Sequence, residues 1–424
     1  QVAADVIEWH RLRAGRGTYA DTRDFLNRRP DWPGEAYLRR QSEAAVIKQG
    51  ESEILDFFSA MAPQTPRGVL AHAEALINSG QRGEAEANLV LAWRTMPMNA
   101  SSQALFTEAH GSLLAPHHAA RLEEMLWQRE HSEARQMFDL VSSADRALAE
   151  TRIALQKLES DVNAKIDALP ASKSDAPGLA HDRFEWRIRK GLREDAKDLM
   201  LARSTSAVAL GQPPRWANRR RALARDEMRN GDAQRAYRLA SQHFLTDGSN
   251  YADLEWLSGY IALRFLDDPT TALGHFQNHD NAVESPISQG RAGYWQGRAL
   301  EAMGDAEGAA KAYAMGAEYQ TSFYGLLAAE RGGIPFDEKL AGPAPDQDWR
   351  TSPLARAPLF EAGLLLQASG ELSAAERFWT HLAEQLVPED IALLGQAAID
   401  VGQPHIAVMI GIRAAQRGLE VPAP

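Results

Sequence analysis

A glycine that closes one helix and an alanine five positions later recur along the chain, at Gly80 and Ala85, Gly191 and Ala196, Gly231 and Ala236, Gly304 and Ala309, Gly370 and Ala375, and Gly402 and Ala407. Two further turns keep the alanine and replace the glycine: Arg129 precedes Ala134, and Asp267 precedes Ala272. Each residue of the pair answers a separate requirement. Glycine takes the left-handed conformation at a helix end without a β-carbon penalty, and the polar residue after it, as at Asp232, Asp305 and Glu371, caps the next helix or favours its positive end. Alanine in the first turns of the following helix lets two antiparallel helices approach where a larger side chain would wedge them apart. Large residues then follow at helical spacing, as in Ala309, Tyr313 and Ala317 or Ala375, Phe378 and Leu382, and fill the seam.

From Gly191 onward the turns are 40, 36, 37, 66 and 32 residues apart, near the period of about 34 expected of tetratricopeptide-like helix pairs. Runs of β-branched residues at period two do not occur, and Ala, Leu, Glu and Arg dominate, so the chain reads as an all-α superhelix of stacked helix pairs. Trp93, Trp127, Trp256 and Trp295 read as packing between helix layers. The 66-residue interval holds Gly332, Gly333, Pro335, Gly342, Pro343, Pro345 and Pro353, too dense a punctuation for a helix to continue. It places a boundary near residue 340, with a helix-repeat domain over 1–340 and a small helical domain over 341–424. A second interruption, Pro170 to Gly178, reads as a loop within the array that follows a long charged helix.

Composition narrows the function. The 424 residues carry a net charge of −11 and no cysteine. The acidic balance argues against a general grip on nucleic-acid phosphates. Without cysteine there is no disulfide, thiolate zinc site or cysteine nucleophile, which is compatible with an exporting compartment. No uninterrupted apolar run reaches the length of about 18 residues that a membrane span needs. The chain opens at Gln1, with no basic-then-apolar leader before Val2, as expected of a chain whose export signal is removed or was never present. His117 and His118 have no carboxylate at metal-ligand spacing and read as a loop or helix start after Pro116. No glycine-rich phosphate loop occurs, so neither a metal nor a cofactor is implied.

Three segments go beyond generic repeat chemistry. The first runs through Asp5-Val6-Ile7-Glu8-Trp9, Phe25-Leu26 and Pro30-Asp31-Trp32-Pro33-Gly34. The second leads from Ser285-Pro286-Ile287-Ser288 into Arg291-Ala292-Gly293-Tyr294-Trp295-Gln296-Gly297-Arg298-Ala299 and Glu301-Ala302-Met303-Gly304-Asp305. The third is Tyr319-Gln320-Thr321-Ser322-Phe323-Tyr324-Gly325-Leu326-Leu327-Ala328-Ala329-Glu330-Arg331. Together they resemble the soluble lytic murein transglycosylases, and the resemblance extends over essentially the whole chain, residues after 350 being similar to the family's small linker domain. It implies a ring- or horseshoe-shaped superhelix in the periplasm. It also implies peptidoglycan glycan strands, the family's own C-terminal catalytic domain and other cell-wall enzymes as partners.

The family's chemistry, as the resemblance implies it, is non-hydrolytic cleavage of the bond between muramic acid and glucosamine with formation of a 1,6-anhydro ring. One carboxyl group serves as acid and then base, unlike the paired carboxylates of most glycosidases. The family places that Glu before a Ser and ahead of a Gly-Leu-Met-Gln type segment. The Glu-Ser pairs here, Glu51-Ser52, Glu159-Ser160 and Glu284-Ser285, lack that sequel and read as solvated helix ends. The tail Val421-Pro422-Ala423-Pro424 reads as a linker, with the catalytic domain expected beyond it and no catalytic residue in the chain.

The contact candidates are cationic or aromatic. Arg215, Arg219, Arg220, Arg221, Arg225 and Arg229 form the one concentrated basic run, with Arg221, Arg225 and Arg229 at four-residue steps along one helical face. Arg221 and Arg225 are candidates for the carboxylates of peptidoglycan peptides; the alternative is pairing with acidic faces of adjacent repeats. Tyr324 and Arg331, seven residues apart on one face, are candidates for contact with the enzyme domain or with glycan, Tyr324 alternatively packing between helices. A reading from a different class is a non-enzymatic repeat scaffold that binds protein partners in its concave face.

Overall fold

In the computed structural model, which describes residues 1–341, 347–419 and 421, every one of these turns is a helix reversal through the left-handed region. The turn glycines have φ between +77° and +93°, and Arg129 and Asp267 adopt +65° and +53°. A side chain costs about 1–2 kcal/mol in that conformation, so these two turns are bought at some strain. The Gly304 turn shows the construction. The Asp305 amide donates back to the Leu300 carbonyl at 3.0 Å, and the Asp305 carboxylate accepts from the Gly308 amide at 2.9 Å, capping the next helix. Asp232 caps in the same way through the Arg235 amide at 2.9 Å, whereas Glu371 makes no capping hydrogen bond. The alanines five residues on lie in the seams: Ala85, Ala134, Ala196, Ala236, Ala272 and Ala375 are fully buried and Ala309 and Ala407 nearly so.

The described residues form helices and no strand. The chain divides into two compact units, the first covering residues 3–203 with 208–211, the second 204–207 with 212–424. In the first, the helix Val2–Arg13 is locked to the loop after Tyr19–Arg28. Buried Asp5 takes Arg28 at 3.0 Å and Arg29 at 2.7 Å, and the Trp9 indole donates to the Pro33 carbonyl at 3.0 Å. The first of the three sequence segments is thus a local clasp. Beyond it, consecutive helices stack around Leu89, Trp93, Phe106, Leu122 and Met125.

One expectation is corrected in this unit. The long charged helix before Pro170 is two helices, Ser143–Gln156 and Val162–Asp167. Leu158 turns into the left-handed region at φ +62°, because breaking there lets Val162 and Leu169 close over Leu148 and Leu155. The loop after Pro170 is as expected, and the next helix begins at Pro177.

In the second unit, hairpins at Gly231, Asp267 and Gly304 stack in sequence and are followed by Phe323–Gly332. Past Gly333 come short 3₁₀ turns at Glu338–Ala341, Trp349–Thr351 and Pro353–Arg356 in place of helix. Gly342, Pro343 and Pro345 lie outside the described residues, as do Pro422, Ala423 and Pro424. The hairpins at Gly370 and Gly402 then pack on each other around Phe360, Phe378 and Trp379, all fully buried. The last helix, Pro404–Gln416, returns to touch Pro286–Ala302. Trp93, Trp127 and Trp295 are buried and Trp256 half-buried, as interlayer packing requires.

The helix-end carbonyls that such tight stacking closes off are met by buried side chains from other helices. Arg121 donates to the Met96 carbonyl at 2.9 Å, Gln156 to Leu126 at 2.9 Å and Arg220 to Leu239 at 2.8 Å.

The turn and the seam predict separable costs. Nothing lies within 4 Å of a β-carbon at Gly231, so Gly231→Ala carries only the conformational penalty and lowers stability by about 1 kcal/mol. Ala236→Leu overpacks a closed seam and lowers it by about 2–3 kcal/mol. Both are read as shifts of the urea midpoint at unchanged slope.

Candidate functional site

The second and third sequence segments come together as one packed feature. Gly290, Gly293 and Gly297 line one side of the helix Pro286–Ala302, against Ala306–Ala317 and Phe323–Gly332. A β-carbon at Gly293 would lie 2.4 Å from the Gly316 nitrogen, and one at Gly297 2.4 Å from the Tyr313 ring. At Gly290 it would meet the Ser322 hydroxyl at 2.5 Å. The glycines are therefore there for backbone contact, and the large residues between them are pushed to the flanks.

On one flank, Tyr294, Trp295 and Tyr324 pack with Trp256 and Tyr260. The Tyr324 ring lies 5.6 Å from Tyr294 and 6.2 Å from Trp295, centroid to centroid. Tyr324 is half-buried in this cluster, which is the packing alternative. Near the end of the same helix Glu301 gathers partners. It accepts from Arg331 at 2.9 and 3.0 Å and from the Tyr313 hydroxyl at 3.0 Å, with Arg298 at 3.4 Å. Burial and the Glu301 charge push the Tyr313 phenol up to about 12. Arg331, exposed at its tip, is thus committed to Glu301. Phe323 and Leu326, on the same helix as Tyr324, are 69% and 44% exposed.

The basic run divides in three. Arg220 is buried, donating to Leu239 and, at 2.6 Å, to the Ser204 hydroxyl; burial pulls its guanidinium down to about 9. Arg221 pairs with Asp253 of the next hairpin, and Asp253 also meets Arg291 at 3.4 Å. Arg225 is exposed with no ion pair among the described residues, and Arg229 pairs with Asp226 at 2.8 Å. Arg221 therefore follows the pairing alternative, and the four candidates do not converge on one another.

Sequence reasoning missed a buried polar cluster. Glu255, 5% exposed, lies between two histidines. The Leu245 amide donates to Nδ1 of His243 at 3.0 Å, which leaves the proton on Nε2, and that nitrogen donates to Glu255 at 2.9 Å. His275 Nδ1 meets the other carboxylate oxygen at 2.6 Å, and its Nε2 contacts the Tyr237 hydroxyl at 2.9 Å. Asn278 adds a donor at 3.0 Å. Burial would raise the Glu255 carboxyl, but the hydrogen bonds from His243 and His275 outweigh it and hold it at about 2. No spacing rule exposes such a cluster, because His243 reaches Glu255 from the loop after Ala233–Ser241 and His275 from the middle of Pro269–Asn281. Among the described residues no group of three or more His, Asp or Glu is arranged to hold a metal, and no helix is long and apolar enough to cross a membrane. His118 opens the helix His118–Gln128 and rests on Trp93. Glu51, Glu159 and Glu284 are all exposed, at helix ends or just beyond them.

The whole architecture has known counterparts. An inactive mutant of the lytic transglycosylase Slt from Pseudomonas aeruginosa matches with a TM-score of 0.61 and 19% identity, over 96% of this chain and 64% of that one. This chain shares the fold of the soluble lytic transglycosylases. The 70 kDa soluble lytic transglycosylase of Escherichia coli matches with a TM-score of 0.53 and 15% identity, over 96% of this chain and 65% of that one. A complex of the 70 kDa soluble lytic transglycosylase with bulgecin A gives 0.54 and 15%. The chain spans slightly less than two thirds of these transglycosylase chains. No family profile and no curated protein sequence matches it.

Two substitutions test the packing. Gly293→Ala in the transglycosylase-like hairpin drives a methyl group into backbone and is expected to cost about 3 kcal/mol in urea unfolding, against about 1 kcal/mol at an open turn glycine. The Glu255 carboxyl is held at about 2 against an ordinary 4.5, so the unfolded state binds more protons in between. Its stabilisation is full above about pH 4.5 and is lost as the pH falls towards about 2. Glu255→Gln is expected to lose about 2–3 kcal/mol near neutral pH and much less near pH 3, compared by urea unfolding at both.

Proposed function

We propose that this chain is the non-catalytic helical part of a periplasmic peptidoglycan lytic transglycosylase. It positions the murein strand and orients a C-terminal catalytic domain that cleaves the glycan to 1,6-anhydro-muramic products. The observation that carries this reading is the unequal coverage: 96% of this chain accounts for only 64% of the Slt structure. What is left over in the neighbour is a domain's worth of chain. The described Glu-Ser pairs are solvated and offer no carboxyl group in a closed cleft of the kind a glycan-cleaving acid requires.

Two features support a docking role for the hairpin at Gly304 and the helix after it. The glycine seam makes that region rigid, and Phe323 and Leu326 stand out from it exposed. In this reading residues 1–340 are the superhelical domain and 341–424 the linker domain, the latter being the two hairpins that pack together after the 3₁₀ turns. Tyr324 acts by holding the Phe323 end of its helix in place, and Arg331 by tying that helix to Glu301. Arg225, exposed and without an ion pair among the described residues, is the cation of the basic run offered to peptide carboxylates.

Incubating purified sacculi with this chain alone is expected to release no anhydro-muropeptide, while the chain co-sediments with the sacculi. Release of such products would overturn the assignment of catalysis elsewhere. Failure to co-sediment at low salt would remove the positioning role and leave the protein-scaffold reading in its place.

A further inference from the structure

The first unit contains a groove whose wall gathers three cations. A cavity of about 570 Å³ opens between the helix Glu35–Val46, the start of Pro66–Asn78 and the first turn of Ala100–Leu114. Arg40, Lys48 and Arg67 line it and are exposed. None of the three makes an ion pair or side-chain hydrogen bond among the described residues. That sets them apart from their surroundings. Arg39, next to Arg40, is held by Glu35 at 2.7 Å and by the Phe57 carbonyl at 3.2 Å. Arg28 and Arg29 are spent on Asp5, Arg221 on Asp253 and Arg331 on Glu301.

Glu43, buried on the helix that carries Arg40, feels the Arg40 charge without forming an ion pair with it, and its hydrogen bonds come from Gln64 and Thr65. Its carboxylate accepts the backbone amides of Gln64 and Thr65 at 2.6 and 2.9 Å, as well as the Thr65 hydroxyl. It is buried, and it pins the segment that presents Arg67. Three positive charges thus face one cavity of a chain whose net charge is −11. Like charges left unpaired at short range are unfavourable unless a ligand or solvent ions neutralise them. Between the cations the wall offers Gln41 and Ser102 for amide groups, and Ala44, Ile47 and Pro66 for methyl groups.

We propose that this groove binds a short, carboxylate-rich peptide, the stem peptide of peptidoglycan in the function proposed above, on which the assignment of the source rests. A carboxylate for each guanidinium or ammonium, amides against the polar wall and small apolar side chains against Ile47 and Pro66 match such a peptide better than an uncharged sugar. The groove is open to solvent, so the attraction is screened and the binding weakens as salt rises.

The test is calorimetric titration of the full chain with an N-acetylated Ala-Glu-Ala-Glu peptide, its carboxamide counterpart and inorganic phosphate. The acidic peptide is expected to bind, more weakly at about 300 mM salt than at about 50 mM, and the carboxamide peptide not to bind. The combined Arg40→Gln, Lys48→Gln and Arg67→Gln variant is expected to lose at least about tenfold in affinity, with an unchanged thermal unfolding curve because all three side chains are exposed. Arg82→Gln with Lys311→Gln, exposed cations elsewhere, is expected to bind as the parent does. Equal binding by the triple variant or by the carboxamide peptide overturns the site. Phosphate competing as well as the peptide overturns the peptide assignment. Co-sedimentation with sacculi separates the two proposals. Sacculus binding without peptide binding sinks the groove and leaves the function, whereas peptide binding through the three cations without sacculus binding does the reverse.

Discussion

Two helices come no closer than the side chains between them allow, and this chain sets that distance with residues that have almost none. The alanine after each turn is buried to the backbone, and in the hairpin at Gly304 the spacing shrinks further, to backbone against backbone at Gly293 and Gly316. Close approach increases dispersion contact along the seam and leaves little room for alternative registers. It also decides where the large residues go. The Tyr313 ring lies directly on Gly297, and Tyr294, Trp295 and Tyr324 gather beside the seam, where they join one hairpin to the next. Stacking order thus follows from seam width.

Tight seams create a second demand. Each helix ends in carbonyls without an internal partner, and stacking hides some of them from water. Arg121, Gln156, Arg220 and Arg417 answer this from neighbouring elements; Arg417 reaches the Ala383 and Leu386 carbonyls at 2.6 and 2.9 Å. Burial without a paired carboxylate pulls the guanidinium of Arg121 down to about 10 and that of Arg220 to about 9. Both stay charged at neutral pH, and a cation beside helix-end carbonyls meets the negative end of the helix dipole. Where a carboxylate is buried instead, as at Asp182 and Glu255, two or more donors surround it. Arg152 and Gln156 meet Asp182 at 2.6 and 2.9 Å.

This division explains what could be read from the sequence. The turns and their alanines were legible because their physics is local: a left-handed residue, a cap and a small side chain occupy six consecutive positions. The local clasp of Asp5, Trp9 and Pro33 was recognisable as a segment, though its bonds were not. Leu158 escaped notice because neither glycine nor asparagine marks that reversal; the burial of Val162 and Leu169 drives it from outside. The Glu255 cluster and the arginine caps join residues 12 to 34 positions apart, and composition at one position says nothing of its partner at another. For the same reason the basic run from Arg215 to Arg229 looked like one surface, when Arg220 faces inward and Arg221 is tied across to the next hairpin.

In the proposed function the cations matter, because an acidic protein approaching an anionic polymer is repelled at long range and attraction has to come from local exceptions. A guanidinium already paired with a carboxylate is a dipole rather than a charge at ligand distance, and displacing its partner costs about what the new contact returns. Counting arginines therefore overstates the available attraction, and the free ones decide where an anion settles. Arg331 and Arg221 are engaged and Arg225 stands alone on an open helix face, whereas Arg40, Lys48 and Arg67 share a single cavity wall. Charges gathered on one cavity wall add up at a ligand more than the same charges spread along an open helix, which is why the proposed peptide site lies in the first unit. In the proposed function, the face of the second unit that holds the catalytic domain is the glycine seam with the exposed Phe323 and Leu326.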